Sequence, residues 1–421
     1  MNPNDMKSTV APLAGLEMQT TASDVEPRRR WTRYVVVCLC LGALLVGSAT
    51  GVWQWYRRSV IRSLPLRIAQ AELLLRSGKT AQAKNSVATI LQFVPDDFDA
   101  RSVLGRCLID EGNTDEGIHE LAAIPPDSSA FLKSGFVLAT AYLQTSDLEH
   151  AESVLKSYLE RLPESEEARE ELQWLCFNQF RPREVVQLLQ DKLPLVPGDP
   201  KTLAGLLDSE YRQQVPFEGA DYLAQVDRTK PGQSAILLAL GYAKWRMGQV
   251  EAARPLFQQA LAARPDDPHT RLLASSFLLE QGDLGGAEQI LDRGPVLSND
   301  DRYWALKSQI SEQKNLPAVA LTQLEQAIQR HPYDHRYASR RASLLRKLGR
   351  GNDAESASRT AFDLLTIDRQ FADIVESRIH QQPTKGDAIR FSKLYEQVGK
   401  KLEAQHWRIL ADRLPEGKSS P

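Results

Sequence analysis

Two hydrophobic patterns divide this chain. The first is unbroken: Tyr34 to Tyr56 reads YVVVCLCLGALLVGSATGVWQWY, 23 residues without a charged side chain. A helix needs about 20 apolar residues to cross a bilayer core, so the stretch predicts one transmembrane helix over 34–56. Arg28, Arg29, Arg30 and Arg33 precede it and Arg57, Arg58 and Arg62 follow. Trp31, Tyr34, Trp53, Trp55 and Tyr56 stand where aromatic rings settle at the two interfaces. A cleaved signal peptide is the competing reading, with Val35–Val46 as its apolar region and Gly47-Ser48-Ala49 as its cleavage site. The run continues past Ala49 into an aromatic–arginine anchor, which favours the span. Residues 1–33 read as a basic-ended, disordered N-terminal tail.

The second pattern is periodic and fills the rest. From about residue 64, apolar positions recur at helical spacing in paired segments of about 12–14 residues, and the pairs themselves repeat. The turn markers are Gly78, Gly112, Ser146, Phe180, Gln214, Gly248, Gly282, Asn315, Gly349 and Gly399, spaced 34 six times, then 33, 34 and 50. Five positions after them stand Ala83, Gly117, Ala151, Val185, Gly219, Ala253, Ala287, Ala320, Ala354 and Ala404. Nine of these ten are Gly or Ala, types that supply only about one residue in six of the chain, so the slot demands close helix approach. Seven positions before each marker the chain is again mostly small, from Ala71 and Gly105 to Ser308, Ala342 and Ser392. Pro95, Pro163, Pro197, Pro231, Pro265 and Pro332 all follow their markers at one fixed distance, where a helix must stop. In the unit around Gly248, Leu237, Leu240, Gly241 and Lys244 lie on one side of the first helix, and Ala252, Ala253, Leu256, Phe257, Ala260 and Leu261 form the apolar stripe of the second. One such pair cannot bury its apolar face alone; stacked pairs can.

These slots resemble a tetratricopeptide repeat array, most fully at Leu240-Gly241, Gly248, Ala253, Phe257, Ala260 and Pro265, then at Trp304, Ala320, Leu324, Ala327 and Pro332. The resemblance covers 64–416, with 417–421 as a tail. It implies an all-α fold: a right-handed superhelical solenoid of about ten helix-turn-helix units after one transmembrane helix. The units marked by Phe180 and Gln214 depart from the pattern, so the array is expected to be irregular around 166–231. The step from Gly349 to Gly399 is longer than any other and predicts an extra helix near 368–380, with Phe371, Ile374, Val375 and Ile379 on one side.

In arrays of this kind the first helices line a concave groove that binds protein partners. The resemblance places Trp174, Phe177, Tyr211, Arg212, Tyr242, Trp245 and Arg246 there, a set of aromatics and arginines suited to a protein interface. The competing reading packs the rings between neighbouring units. The family's carboxylate clamp is not matched, since Ile68 and Glu72 occupy the corresponding slots.

Composition narrows function further. The 421 residues hold 52 Lys and Arg against 54 Asp and Glu, for a formal charge of −2, which argues against a broadly basic nucleic-acid binder. Of the four cysteines, Cys38 and Cys40 lie in the apolar run, while Cys107 and Cys176 form no metal or redox spacing. Ser77-Gly78-Lys79-Thr80 mimics the end of a phosphate loop but lacks its first glycine and follows a helix. His331-Pro332-Tyr333-Asp334-His335 is broken by its proline. With no hydrolase, metalloprotease or dinucleotide motif, neither catalysis nor a cofactor nor a metal is expected.

The expected protein is thus a non-catalytic, membrane-anchored scaffold with protein or peptide partners and no nucleic acid. The basic cluster abutting the span favours a cytoplasmic N-terminus and an extracytoplasmic solenoid. Gly47 and Gly51 are spaced to let two spans pair as a homodimer. Two alternatives stay open: a cytoplasm-facing docking receptor or assembly factor, and a subunit of an envelope-biogenesis enzyme complex.

Overall fold

The repeated marker has a direct backbone meaning. In the computed structural model, which describes residues 62–211, 216–377 and 382–415, nine of the ten markers adopt φ between 56° and 84°. This left-handed conformation ends helices, and it favours glycine because other residues bring a Cβ too close to the following carbonyl. Ser146, Phe180 and Asn315 adopt it too. The hydrogen bonds are those of a Schellman motif: Gly78 N donates to Leu75 O and Lys79 N to Leu74 O, and the pair recurs as Gly248 N to Trp245 O and Gln249 N to Lys244 O. The next helix starts at once, giving a tight hairpin. Gln214 lies outside the described residues.

Among the described residues there are twenty helices and no strand. They are α1 (62–76), α2 (Thr80–Phe93), α3 (Phe98–Asp110), α4 (Thr114–Ala122), α5 (Ser129–Gln144), α6 (Leu148–Arg161), α7 (Glu166–Asn178), α8 (Pro182–Lys192), α9 (Pro200–Tyr211) and α10 (Pro216–Thr229). Then follow α11 (Ser234–Arg246), α12 (Val250–Ala263), α13 (Pro268–Glu280), α14 (Leu284–Leu291), α15 (Asp301–Gln313), α16 (Pro317–Arg330), α17 (His335–Lys347), α18 (Gly351–Ser377), α19 (Lys385–Gln397) and α20 (Lys401–Arg413).

The small slots are where paired helices touch. Ala83, Ala151, Ala253, Ala287 and Ala320 are all fully buried. A Cβ on Gly105 would lie 2.5 Å from Leu121 Cδ2 and 3.1 Å from Gly117 O, so α3 and α4 can approach only with glycine there. Ser308 Oγ donates to Ala320 O at 2.8 Å and Ser392 Oγ to Ala404 O at 2.9 Å, so serine in the slot of α15 and α19 also stitches the pair together. In the Gly248 unit, Ala252 faces solvent rather than joining the stripe. Helix α11 is buried almost all round, from Ile236 to Trp245, because it lies between α10, α12 and α13.

The regular stacking breaks in the middle. Helix α9 packs on α8 and on α18 and α20, while α10 packs on α11 and turns Tyr222 against Trp174 of α7, ring centroids 5.1 Å apart. The extra helix expected near 368–380 is instead the second half of α18, which runs unbroken for 27 residues. Nothing between Gly351 and Ser377 breaks a helix, because the stretch holds no proline and no further glycine. Its continuation carries Phe371 and Ile374 into the largest core, shared with α5 to α11, α19 and α20. Phe371 stacks on Tyr211 at 4.1 Å between centroids. Lys400 Nζ meets Glu210 at 2.7 Å and Gln190 Nε2 meets Glu403 at 2.6 Å. The C-terminal hairpin therefore folds back onto α8 and α9.

The span expected over 34–56, with Gly47 and Gly51, lies outside the described residues. Among the described residues no helix is long and apolar enough to cross a membrane.

Candidate functional site

The first helices of the second half begin in the same way. Asp267, Asp300 and Asp334 are the N-caps of α13, α15 and α17. Each carboxylate accepts from backbone N–H groups that a helix start leaves unpaired. Asp300 accepts from Arg302 N at 2.9 Å and Arg302 Nη2 at 2.6 Å. One unit further on, Asp334 accepts from Arg336 N at 2.8 Å and Arg336 Nη2 at 2.6 Å. In α13 the arginine slot holds His269, and Asp267 binds Thr270 through both N and Oγ1 at 2.7 Å. Each cap thus fixes a side chain at the mouth of its helix.

These mouths surround a cavity of about 820 Å³. The first turns of α11, α13, α15 and α17 line it, together with the first turn of α8. Arg183 of α8 spans the gap, its Nη1 and Nη2 lying 2.6 and 2.9 Å from the two carboxylate oxygens of Asp301. Tyr337 OH donates to Asp301 Oδ2 at 2.7 Å. Burial alone would raise the Asp301 carboxyl, but Arg183 and Tyr337 hold it down to about 2. Beside it, Arg181 grips Glu152 at 2.7 and 2.8 Å. Burial alone would also raise Glu152, yet Arg181 and Lys156 hold it down to about 2.

Six arginines and one lysine line the cavity against three carboxylates. Most of that charge is balanced by carboxylates just behind the wall, including Asp300, Asp301, Asp334 and Glu312. Three polar atoms are not matched. Gln179 Nε2, His269 Nε2 and Arg340 Nη1 are buried without a hydrogen-bond partner among the described residues, and all three residues line this cavity. Burial, with the nearby charges of Arg302 and Arg181, pushes His269 down to about 4, so its ring is neutral near pH 7.

Of the residues expected to form a groove, Tyr242 and Trp245 meet edge-on at 6.0 Å between ring centroids, and the other described ones have separate surroundings. Tyr242 lines the cavity and packs against Phe180 at 5.6 Å. Trp245 points into the core, 8% exposed, edge-on to Phe257 and Phe277, with Nε1 donating to Glu280 at 2.9 Å. Tyr211 is covered by Phe371. Trp174 and Phe177 are 42% and 50% exposed, and Arg246 is exposed. Arg212 lies outside the described residues. A ladder of equal steps along the sequence assumes a regular stack, and the break at α9 and α10 destroys that register.

The other motifs have structural partners. Gly78 of the phosphate-loop mimic is the hairpin turn between α1 and α2. Asp334 is a cap, and His335 Nδ1 lies 2.7 Å from Asp368 Oδ2. Cys107 and Cys176 are buried, which pushes their thiols up to about 11 and about 12. Among the described residues no group of three or more His, Cys, Asp or Glu side chains is placed to hold a metal. The Asp-x-Arg pairs at 300/302 and 334/336 were readable as helix starts, but nothing local said that α8 would close over them.

Hairpins of this geometry, stacked through small-residue slots, define an all-helical repeat protein. The sequence model of the family described as tetratricopeptide repeat matches residues 74–129 and 244–310, so the chain carries that repeat in its first units and in the units around the cavity. No curated protein matches the chain. Among solved structures, the Cut9–Hcn1 hetero-tetramer of APC/C is 12% identical, covering 82% of this chain and 89% of that one at a TM-score of 0.39. MamA from Desulfovibrio magneticus RS-1, from its residue 41 to the end, is 17% identical over 40% of this chain and 95% of that one, TM-score 0.33. The human IFIT1 dimer with PPP-AAAA is 15% identical over 74% and 90%, TM-score 0.35.

Proposed function

We propose that this chain is a membrane-anchored, non-catalytic scaffold that holds a protein or peptide partner on the first-helix face of its repeat array. The observation that carries the reading is the cavity of about 820 Å³ at the mouths of α8, α11, α13, α15 and α17, a volume suited to a bound ligand. The uncharged run over 34–56, bracketed by arginines and aromatics, supports one transmembrane helix. The arginines abutting its N-terminal side support a cytoplasmic N-terminus and an extracytoplasmic array. Gly47 and Gly51 support close pairing of two spans as a homodimer.

The test is crosslinking and affinity capture of the full chain from native membranes, comparing wild type with Tyr242→Ala/Arg336→Ala. Loss of a specific protein from the double variant, with the helical content intact, is the expected result. Equal recovery from both would remove the cavity from the reading. Protease added to intact cells should reach the array; protection there, with cleavage in inside-out vesicles, would reverse the topology.

A further inference from the structure

A terminal helix of a repeat array has a neighbour on one side only, and a soluble array closes such an end with a polar outer face. The last helix follows that rule. Between Lys401 and Asp412 of α20 the exposed residues are Lys401, Leu402, Gln405, Arg408 and Asp412, one apolar side chain among four polar ones. The first described helix does not. Leu64, Ile68, Ala71 and Leu75 of α1 pack into a core shared with α2 and α3. On its opposite face Leu66 and Leu73, two turns apart, are each 65% exposed. Ala69 and Gln70 lie exposed between them, so the open face of α1 carries an apolar stripe.

Basic side chains frame that stripe. The α1–α2 hairpin holds Arg62, Arg67, Arg76, Lys79 and Lys84 against a single acid, Glu72, in a chain whose formal charge is −2. Glu72 pairs with Lys133 of α5 and Lys84 with Glu111. Arg62, Arg67, Arg76 and Lys79 form no ion pair among the described residues. Arg62 stands one turn before Leu66 and Arg76 three residues after Leu73, both exposed, at the two ends of the stripe. Exposed leucines flanked by unpaired arginines suit a helix lying in the interface of an anionic bilayer. Position points to the same occupant. Only residues 57–61 separate Tyr56, where the uncharged run ends, from Arg62. An extended chain spans at most about 3.6 Å per residue, so α1 begins within about 20 Å of the end of that run.

We propose that the outward face of α1 docks on an anionic lipid surface, with Leu66 and Leu73 entering the headgroup region and Arg62 and Arg76 meeting lipid phosphates. The proximity rests on the transmembrane reading of 34–56; the stripe and its charges belong to the described fold. Docking fixes the first repeat against the membrane, so the array leaves the surface in one direction instead of swinging on a tether.

The test uses the full chain carrying Cys38→Ala and Cys40→Ala, reconstituted into phosphatidylcholine vesicles with or without phosphatidylglycerol. A fluorophore is attached at Gln70→Cys, on the stripe, or at Glu355→Cys, an exposed control on α18, and nitroxide-labelled lipids act as quencher. Quenching at position 70 and not at 355 is expected with phosphatidylglycerol, and high salt should weaken it. Leu66→Ser/Leu73→Ser should lower the docked-to-free ratio by about tenfold or more. Arg62→Gln/Arg76→Gln should remove the dependence on phosphatidylglycerol and salt. All four positions are exposed or outward-facing, so the melting temperature should hold. Absence of quenching at 70, equal quenching at 70 and 355, or no response to the leucine changes overturns the proposal. Crosslinking of two chains through position 70 without lipid quenching assigns the face to a second copy and overturns it too. Carbonate extraction separates the two readings. A chain that resists extraction yet shows no quenching at 70 keeps the span and rejects the docking; one that is extracted yet quenched with phosphatidylglycerol keeps the docking and rejects the span.

Discussion

Replacing Phe371 by alanine should release the C-terminal hairpin from the middle of the array. Phe371 is fully buried, stacks on Tyr211 at 4.1 Å, and contacts Tyr395 and Phe391 at 4.9 and 6.1 Å between centroids. Truncating a buried Phe costs about 3–5 kcal/mol, because transfer energy is lost and a cavity remains. The loss of aromatic pairs adds about 0.5–1.5 kcal/mol each beyond area. In a repeat array stability is nearly a sum over neighbours, so the loss should fall on local opening and not on the whole chain. At about 1.4 kcal/mol per tenfold, about 3 kcal/mol corresponds to roughly two orders of magnitude in the open population. Hydrogen exchange followed by mass spectrometry on the full chain should show that acceleration in α9, α19 and α20, with α2 to α4 unchanged. Unchanged exchange in α9, α19 and α20 refutes the fold-back. Equal acceleration in α2 to α4 refutes the local character of the contact.

Three further outcomes are expected. Gly105→Ala drives a methyl into Leu121 and the Gly117 carbonyl and should cost about 1–3 kcal/mol in thermal unfolding; Gly248→Ala meets open space, so only its left-handed backbone costs, about 1–2 kcal/mol, and Gly248→Asn should cost less. Glu152 and Asp301 are both held down to about 2 when folded, below their ordinary values, so their stabilisation is present above about pH 4.5 and is lost as pH falls towards 2; acid titration of near-ultraviolet circular dichroism should show that loss, and Arg183→Met should reduce the Asp301 part to what the Tyr337 hydrogen bond supplies. Trp245→Ala should lower stability by about 3–5 kcal/mol in denaturant unfolding, whereas Trp174→Ala, at a 42% exposed side chain, should stay within about 1 kcal/mol; equal effects would contradict the placement of these rings.

The hairpins and their stacking were written in the sequence, because each depends on contacts within a single unit or between neighbours. A residue at φ near +70° selects glycine at Gly78, Gly112 or Gly248, and a close helix crossing selects alanine at Ala83 or Ala253. Both constraints recur from unit to unit and so rise above the noise of one chain.

The fate of the aromatic ladder was not legible. Whether Tyr211 faces a partner or Phe371 depends on where α18 ends up, several units later in the chain, and whether Trp245 faces a groove or the core depends on how α12 and α13 close over it. The cavity arises in the same way. Its arginines are spread from Arg181 to Arg340 and share one cavity only because the tertiary fold brings α8 to α15, as the Arg183–Asp301 pair shows. The Arg183–Asp301 pair joins positions 118 residues apart, and no period encodes that separation. Local backbone geometry and nearest-neighbour packing are properties of short segments, so the sequence alone determined them. The break at α9 and α10, the return of α18 to α20, and the donors left without acceptors depend on long-range closure, which only the tertiary structure decides.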